Sequence, residues 1–145
     1  MHHSVVKSAR GLKMLLTMLL LSLPALGNIL GIFLVVLVVY SLLAMQLFGG
    51  AAHMGYINDD ANFCTFPTAL LTMFRASTGE EWNGLMHDLL NQSTDAVSIP
   101  WAAIPFFISY VLISTFIVLK MMIAIILENF ITALKADGSS LQVKR

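Results

Sequence analysis

Two stretches without a charged side chain, residues 29–48 (20 residues) and 101–119 (19 residues), constrain this chain more than anything else in it. As α-helices each is about 30 Å long, the thickness of a bilayer's hydrocarbon. The 145 residues are 58% hydrophobic and 11% charged, whereas a soluble domain carries about a quarter charged residues. That is too little charge to cover a surface in water, and an all-α membrane protein with two transmembrane helices is the expected fold class.

Net charge is zero, but the charges are partitioned. Residues 49–100 hold Asp59, Asp60, Glu80, Glu81, Asp88 and Asp95 against one Lys or Arg, Arg75. Lys7, Arg10 and Lys13 precede the first run, and Lys120, Lys135, Lys144 and Arg145 follow the second. Short basic flanks stay in the cytoplasm. Both termini are therefore expected to be cytoplasmic and the acidic middle outside, with the plasma membrane as the location. A neutral chain without a basic stripe argues against nucleic acid as a partner. Cys64 is the only cysteine, which rules out an internal disulfide and leaves only an intermolecular one. Asn91-Gln92-Ser93 is a candidate glycosylation acceptor.

Five segments follow. Residues 1–28 are expected to form an interfacial linker helix on the inner surface. Its basic residues recur every third position ahead of the apolar stretch 14–23, and Pro24, Gly27, Asn28 and Gly31 are expected to break the path into the first span. The same basic start, followed by an apolar stretch and Ala25-Leu26-Gly27, also fits a signal peptide. Residues 29–50 are the outer transmembrane helix, ended by Gly49-Gly50. Residues 51–100 form an extracellular loop. Residues 101–134 are the inner transmembrane helix, started by Ser98 and Pro100, and residues 135–145 are a cytoplasmic tail. Tyr56 and Trp101 are candidate interface anchors.

The loop is unusual. Residues 63–77 are apolar with helical spacing, placing Phe66, Leu70, Met73 and Phe74 on one face, with Pro67 in the first turn. Residues 82–90 read as a second short helix with Trp82, Leu85, Met86 and Leu89 apolar. Neither is long enough to cross a bilayer, and Thr78-Gly79-Glu80-Glu81 lies between them. Non-helical backbone at membrane depth survives only when buried in protein or lining a water-filled cavity, so the segment reads as a re-entrant loop. Acids in such a place need water, a partner or a cation. A ring of carboxylates from several chains attracts cations, and hard oxygens suit calcium. Gly79 permits backbone conformations that turn a carbonyl toward an ion. Two glutamates at a helix start are also favoured for ordinary reasons of helix polarity.

Within residues 62–88 the chain reads Thr72-Met-Phe-Arg-Ala-Ser-Thr-Gly-Glu-Glu-Trp-Asn-Gly-Leu-Met-His-Asp88. This resembles the pore loop of voltage-gated calcium channels, most closely their fourth repeat, and its Thr-x-Glu-x-Trp core resembles bacterial sodium channels. Residues 14–26 resemble the linker between voltage sensor and pore in that superfamily. Ala124-Ile125-Ile126-Leu127-Glu128-Asn129-Phe130 resembles the inner end of its last helix. The three likenesses are collinear and cover most of the chain. They imply a pore helix, selectivity filter and second pore helix between the two spans. In the filter, Glu80 would be the selectivity glutamate, Thr78 and Gly79 would offer carbonyls, and Trp82 would brace the filter against a neighbour. Glu81 stands where calcium-channel repeats usually have a small residue. It either strengthens the attraction for divalent ions or pairs with Arg75, which also complements the helix dipole. Lys120 departs from the family's usual Asn. Met121, Ile125 and Phe130 are candidates for an inner gate that closes by dewetting.

Two spans cannot enclose an aqueous path, so four units per pore are needed. The chain is either a homotetramer subunit, as its initiator-like Met1 suggests, or one repeat of a four-repeat chain, as the fourth-repeat likeness suggests. The implied partners are lipid, three further copies or homologous repeats, and a voltage sensor, of which Arg10 and Lys13 are the candidate tail. No cofactor is implied beyond a permeant ion: calcium, carried by Glu80 and Glu81, or alternatively sodium or unselected cations. His87 and Asp88 are weaker candidates for an outer ion or pH site. With no nucleophile–base pair, phosphate loop or zinc spacing, an enzyme is not expected. A two-span scaffold without a pore accounts for the same composition but leaves the acid-bearing turn unexplained.

Overall fold

The two apolar runs fold as long helices that each bury one narrow face. The computed structural model describes residues 2–142, and the side chains of residues 11–14, 16, 17, 20, 21, 23, 24 and 26–135. In chain order the elements are α1 (His2–Phe48), α2 (Phe66–Ser77), α3 (Trp82–Leu90), a single 3-10 turn at Pro100–Ala102, and α4 (Ala103–Gln142). Backbone contacts divide the chain into two units, Ile32–Val118 and the pairing of Met1–Gly31 with Leu119–Arg145. Both long helices run through both units.

In Ile32–Val118 the buried face of α1 is Phe33, Leu37, Ser41, Ala44 and Phe48, and that of α4 is Ala103, Phe106, Phe107, Tyr110, Ser114 and Ile117. Both sets follow the three- and four-residue spacing of one helical stripe. The small Ser41, Ala44, Ala103 and Ser114 leave room for close backbone approach. Aromatic rings join the elements. Tyr40 lies 4.9 Å from Tyr110 and 5.3 Å from Phe106, and Phe48 lies 5.3 Å from Phe106 and 6.0 Å from Phe63. Phe107 lies 6.4 Å from Phe63, closing the cluster. Tilted and edge-on pairs of this kind add about 0.5–1.5 kcal/mol each beyond their buried area.

The opposite faces are exposed. Leu34, Val35, Val38, Val39, Leu42 and Leu43 of α1 and Ile104, Ile108, Leu112 and Phe116 of α4 are exposed. Only 22% of the span Leu26–Phe48 and 17% of Pro100–Lys135 is buried. A core helix of a soluble protein would be mostly covered, so these faces fit lipid or further protein.

Several expectations shift. No break occurs at Pro24, Gly27, Asn28 or Gly31, because α1 is continuous through all four. Pro24 forfeits its own N–H bond at a cost of about 3 kcal/mol, but the surrounding sequence is too apolar for the backbone to find water instead. The side chains of Lys7, Arg10, Lys144 and Arg145 lie outside those described. The helix expected over 63–77 begins at Phe66, with Thr65 as its N-cap. Thr65 N–H donates to the Thr68 hydroxyl at 3.3 Å, the pattern of a capping box. The buried face of α2 is Ala69, Thr72, Met73 and Ala76, while Phe74 is 48% exposed. Of the expected stripe, Met73 is buried, Phe66 and Leu70 are half-buried and Phe74 is exposed. Ile99 rather than Ser98 caps the 3-10 turn Pro100–Ala102 that precedes α4. Gly49-Gly50 does end the first span, and a Cβ at Gly50 would come within 2.5 Å of the Ala96 carbonyl oxygen.

The aromatic cluster makes a prediction. Phe107→Ala is expected to lose about 3–5 kcal/mol of stability, read as a lower melting temperature in detergent. Leu112→Ala, on the bare face of the same helix, should shift it by less than about 0.5 kcal/mol.

Candidate selectivity filter

The turn between α2 and α3 is built by local hydrogen bonds. At the end of α2 the Ser77 hydroxyl donates to the Phe74 carbonyl (2.6 Å) and the Thr78 hydroxyl to the Arg75 carbonyl (2.6 Å). Thr78 N–H donates to the Arg75 carbonyl and Gly79 N–H to the Ala76 carbonyl, each at 3.1 Å. The carbonyls of Phe74, Arg75 and Ala76 are thereby satisfied within the turn. The carbonyls of Thr78 and Gly79 take no backbone hydrogen bond, which leaves two strong acceptors at an exposed position. Gly79 has φ +87 with open space where a Cβ would stand, so the conformation itself selects glycine.

Glu81 follows at φ 56, a left-handed residue at the cap of α3. That conformation costs a residue with a Cβ about 1–2 kcal/mol. Two contacts hold it. Leu85 N–H donates to the Glu81 carbonyl at 3.0 Å, starting α3. The Arg75 guanidinium donates to the Glu81 carboxylate at 2.7 Å, with the two side chains 33% and 41% exposed. A half-exposed ion pair gives only about 0.2–1 kcal/mol, so the pair offsets only part of the strain. Of the two readings of Glu81, pairing with Arg75 is the one found. Glu80 is exposed beside it, and the single Lys or Arg of the loop is already engaged. A shallow recess next to this turn is lined by Ala61, Thr72, Arg75, Glu80, Glu81 and Leu85.

Behind the turn, each support comes from a different part of the chain. The Tyr110 hydroxyl on α4 donates to the Met73 carbonyl of α2 at 2.8 Å, fully buried. The Thr72 hydroxyl lies within hydrogen-bonding distance of the Asn62 and Thr68 carbonyls. The Gln92 amide clamps Ala52, accepting from its N–H and donating to its carbonyl, both at 2.9 Å. Asp88, a candidate for an ion site, instead accepts from the N–H groups of Tyr56 (2.6 Å) and Ile57 (3.1 Å) and anchors the tight turn around Gly55. His87 is exposed on the same helix. Trp82 starts α3 and is half-buried. Asn91 caps the end of α3 and is exposed, as is Cys64.

Comparison with known proteins decides the family. The family described as Ion transport protein matches residues 3–136. The chain belongs to it. The matched range takes in residues 3–28, so the basic and apolar stretch before the first span is part of the family's sequence. Sodium channel protein 1 brain of Heterololigo bleekeri is 34% identical over 145 residues, 87% of this chain and 10% of that protein. Sodium channel protein 60E of Drosophila melanogaster is 37% identical over 85% of this chain and 5% of its own length. The human sodium channel protein type 11 subunit alpha is 38% identical over 82% of this chain and 7% of its own. The chain thus spans a tenth or less of these relatives. Among solved structures, NaChBac in lipid nanodisc shares the fold with TM-score 0.65 and 29% identity, covering 83% of this chain and 48% of that one.

These matches identify an integral membrane protein with the pore-module fold of voltage-gated cation channels, not an enzyme. The finer likeness to a calcium-channel fourth repeat has no counterpart among the three relatives, all named as sodium channels.

The gate candidates lie on α4 in the unit formed by Met1–Gly31 and Leu119–Arg145, where Lys120 is exposed. On an unbroken helix Met121 and Ile125 share a face, while Phe130 falls roughly 180° from Met121.

Two anchors of the site escaped sequence reasoning. Gln92 gave no signal. Tyr110 gave one, since a hydroxyl inside an apolar span must find an acceptor. For Asp88, the Asp88→Ala variant is expected to speed hydrogen exchange at Tyr56 and Ile57 roughly 30-fold, reflecting about 2 kcal/mol of lost bonding to a charged acceptor.

Proposed function

We propose that this chain is the pore-forming module of a cation channel, with Thr78, Gly79 and Glu80 lining its filter. The observation that carries the reading is the turn itself. It brings two carbonyls without backbone partners next to an exposed carboxylate, all held by buried contacts on one side. Carbonyl dipoles and carboxylate rings are the two devices by which pores replace an ion's hydration. Among the described residues no three His, Cys, Asp or Glu side chains gather to hold a metal. Two spans cannot by themselves enclose an aqueous path, which supports a four-fold arrangement of copies or homologous repeats around Glu80. The exposed Leu71 and Phe74 of α2 are apolar surface for such neighbours to cover. Lipid would cover the outer faces of the spans, and a voltage sensor would be a further partner.

Sodium is favoured over calcium as the permeant ion. The pairing of Glu81 with Arg75 leaves one net negative charge per chain in the turn, and the relatives named above are sodium channels. The calcium reading rests on Glu80 with its neighbouring carbonyls, an all-oxygen site suited to a hard divalent ion. Localisation in the plasma membrane with both termini cytoplasmic is part of the same reading, supported by the charge partition.

Flux of sodium and of calcium into liposomes carrying the chain, beside Glu80→Gln, tests this. Cation flux that falls about tenfold or loses its ion preference in the variant is expected, because a neutral side chain removes a full charge from the ion path. Unchanged flux would overturn the assignment of Glu80. Absence of flux together with a monomer in mild detergent would show that a single chain does not assemble the pore alone.

A further inference from the structure

The ion pair that crosses the turn sets how much charge the turn offers. Arg75 sits in the last turn of α2 and Glu81 at the cap of α3, and their side chains meet at 2.7 Å. A basic residue at a helix end often serves only to complement the helix dipole. Here the nearby carbonyls of Phe74, Arg75 and Ala76 are already taken by Ser77, Thr78 and Gly79, and the guanidinium reaches across to the carboxylate. A carboxylate held against a guanidinium acts on a third ion as a dipole, and its pull falls off faster with distance than that of a lone charge. Glu81, at a left-handed backbone position, stays 41% exposed while bonded to Arg75, and its chain neighbour Glu80 is exposed beside it.

We propose that Arg75 is a positioning residue that sets ion selectivity: by holding Glu81 against the end of α2, it withdraws one of the two adjacent carboxylates and leaves Glu80 as the acid offered to the ion. The inference rests on the reading of Glu80 as a filter residue. It makes the charge of the turn adjustable from a position outside the Thr78–Glu80 stretch. Breaking the pair from the arginine side frees a second acid and favours divalent over monovalent ions. Breaking it from the glutamate side leaves an unpaired cation beside the filter and does the opposite.

The test is a charge cycle in the full chain: Arg75→Gln, Glu81→Gln, the double variant Arg75→Gln/Glu81→Gln, and Arg75→Lys. Two readouts run in parallel, the calcium concentration that halves sodium flux in liposomes and the half-saturation of Tb3+ emission sensitised through tryptophan in detergent. The second needs no conducting pore. Arg75→Gln is expected to lower both concentrations about tenfold, the effect of roughly one uncompensated charge near the ion. Glu81→Gln should raise them, Arg75→Lys should leave them near the parent, and the double variant should return to within about twofold of the parent, because its net charge is the same. A merely structural role for Arg75 predicts no such return.

Arg75→Gln indistinguishable from the parent, or a double variant that tracks Glu81→Gln, would overturn the proposal and make Glu81 a direct ligand or a bystander. A Glu80→Gln arm separates this from failure of the filter reading. If Glu80→Gln weakens both readouts while Arg75→Gln is silent, the filter stands and the positioning role falls. If Glu80→Gln is silent in both, the filter reading falls.

Discussion

A helix of 12 residues cannot cross a bilayer, and one that stops partway exposes backbone where water is scarce. Everything in the loop depends on how α2 is tied down. The tie is the fully buried Tyr110, whose ring packs on Tyr40 and whose hydroxyl reaches the Met73 carbonyl. Around it, Phe48, Phe63, Phe106 and Phe107 connect the end of α1, the start of the loop and the first turns of α4. Ring contacts supply the bulk and one hydroxyl supplies direction. This is an economical arrangement in an apolar setting, because a single unsatisfied polar atom costs more there than several packing contacts return. Among the described residues no buried side-chain nitrogen or oxygen lacks a partner.

The polar loop solves the same problem by different means. It has no sheet beyond one isolated bridge between Met54 and Ile57, so side chains stand in for secondary structure. Asn58 accepts from the N–H groups of Asp60 and Ala61, Asn62 donates to the carbonyls of Asn58 and Asp59, Asp88 holds two N–H groups, and Gln92 holds both polar groups of Ala52. Carboxylates that look like ion ligands in a sequence divide accordingly. Asp88 is spent on backbone and Glu81 on Arg75, while Glu80 remains exposed. Two of the loop's acids are thus tied to the fold, Asp88 through backbone N–H groups and Glu81 through Arg75.

The sequence by itself determined the class of the molecule. Charge-free runs of 20 and 19 residues have few fates other than membrane helices, and two short apolar segments around Thr78–Glu81 read as a re-entrant turn. The second short helix matched residue for residue, because Trp82 and the turn before it leave little freedom. The spacing rules failed where tertiary context outweighs local preference. Pro24 and the glycines near it did not end α1, since an apolar stretch has nothing better to do with its backbone than continue the helix. The apolar stripe expected on α2 lies partly exposed, since the buried face is Ala69, Thr72, Met73 and Ala76 and leaves Phe74 outside. Periodicity reports which side chains share a face. Which face is buried depends on the partners, and Gln92, Tyr110 and Asp88 act on residues 30 or more positions away, a separation no local pattern encodes. Only the folded chain could say that Arg75 meets Glu81 rather than Glu80. The pair spans the turn, from the last turn of α2 to the left-handed cap residue of α3.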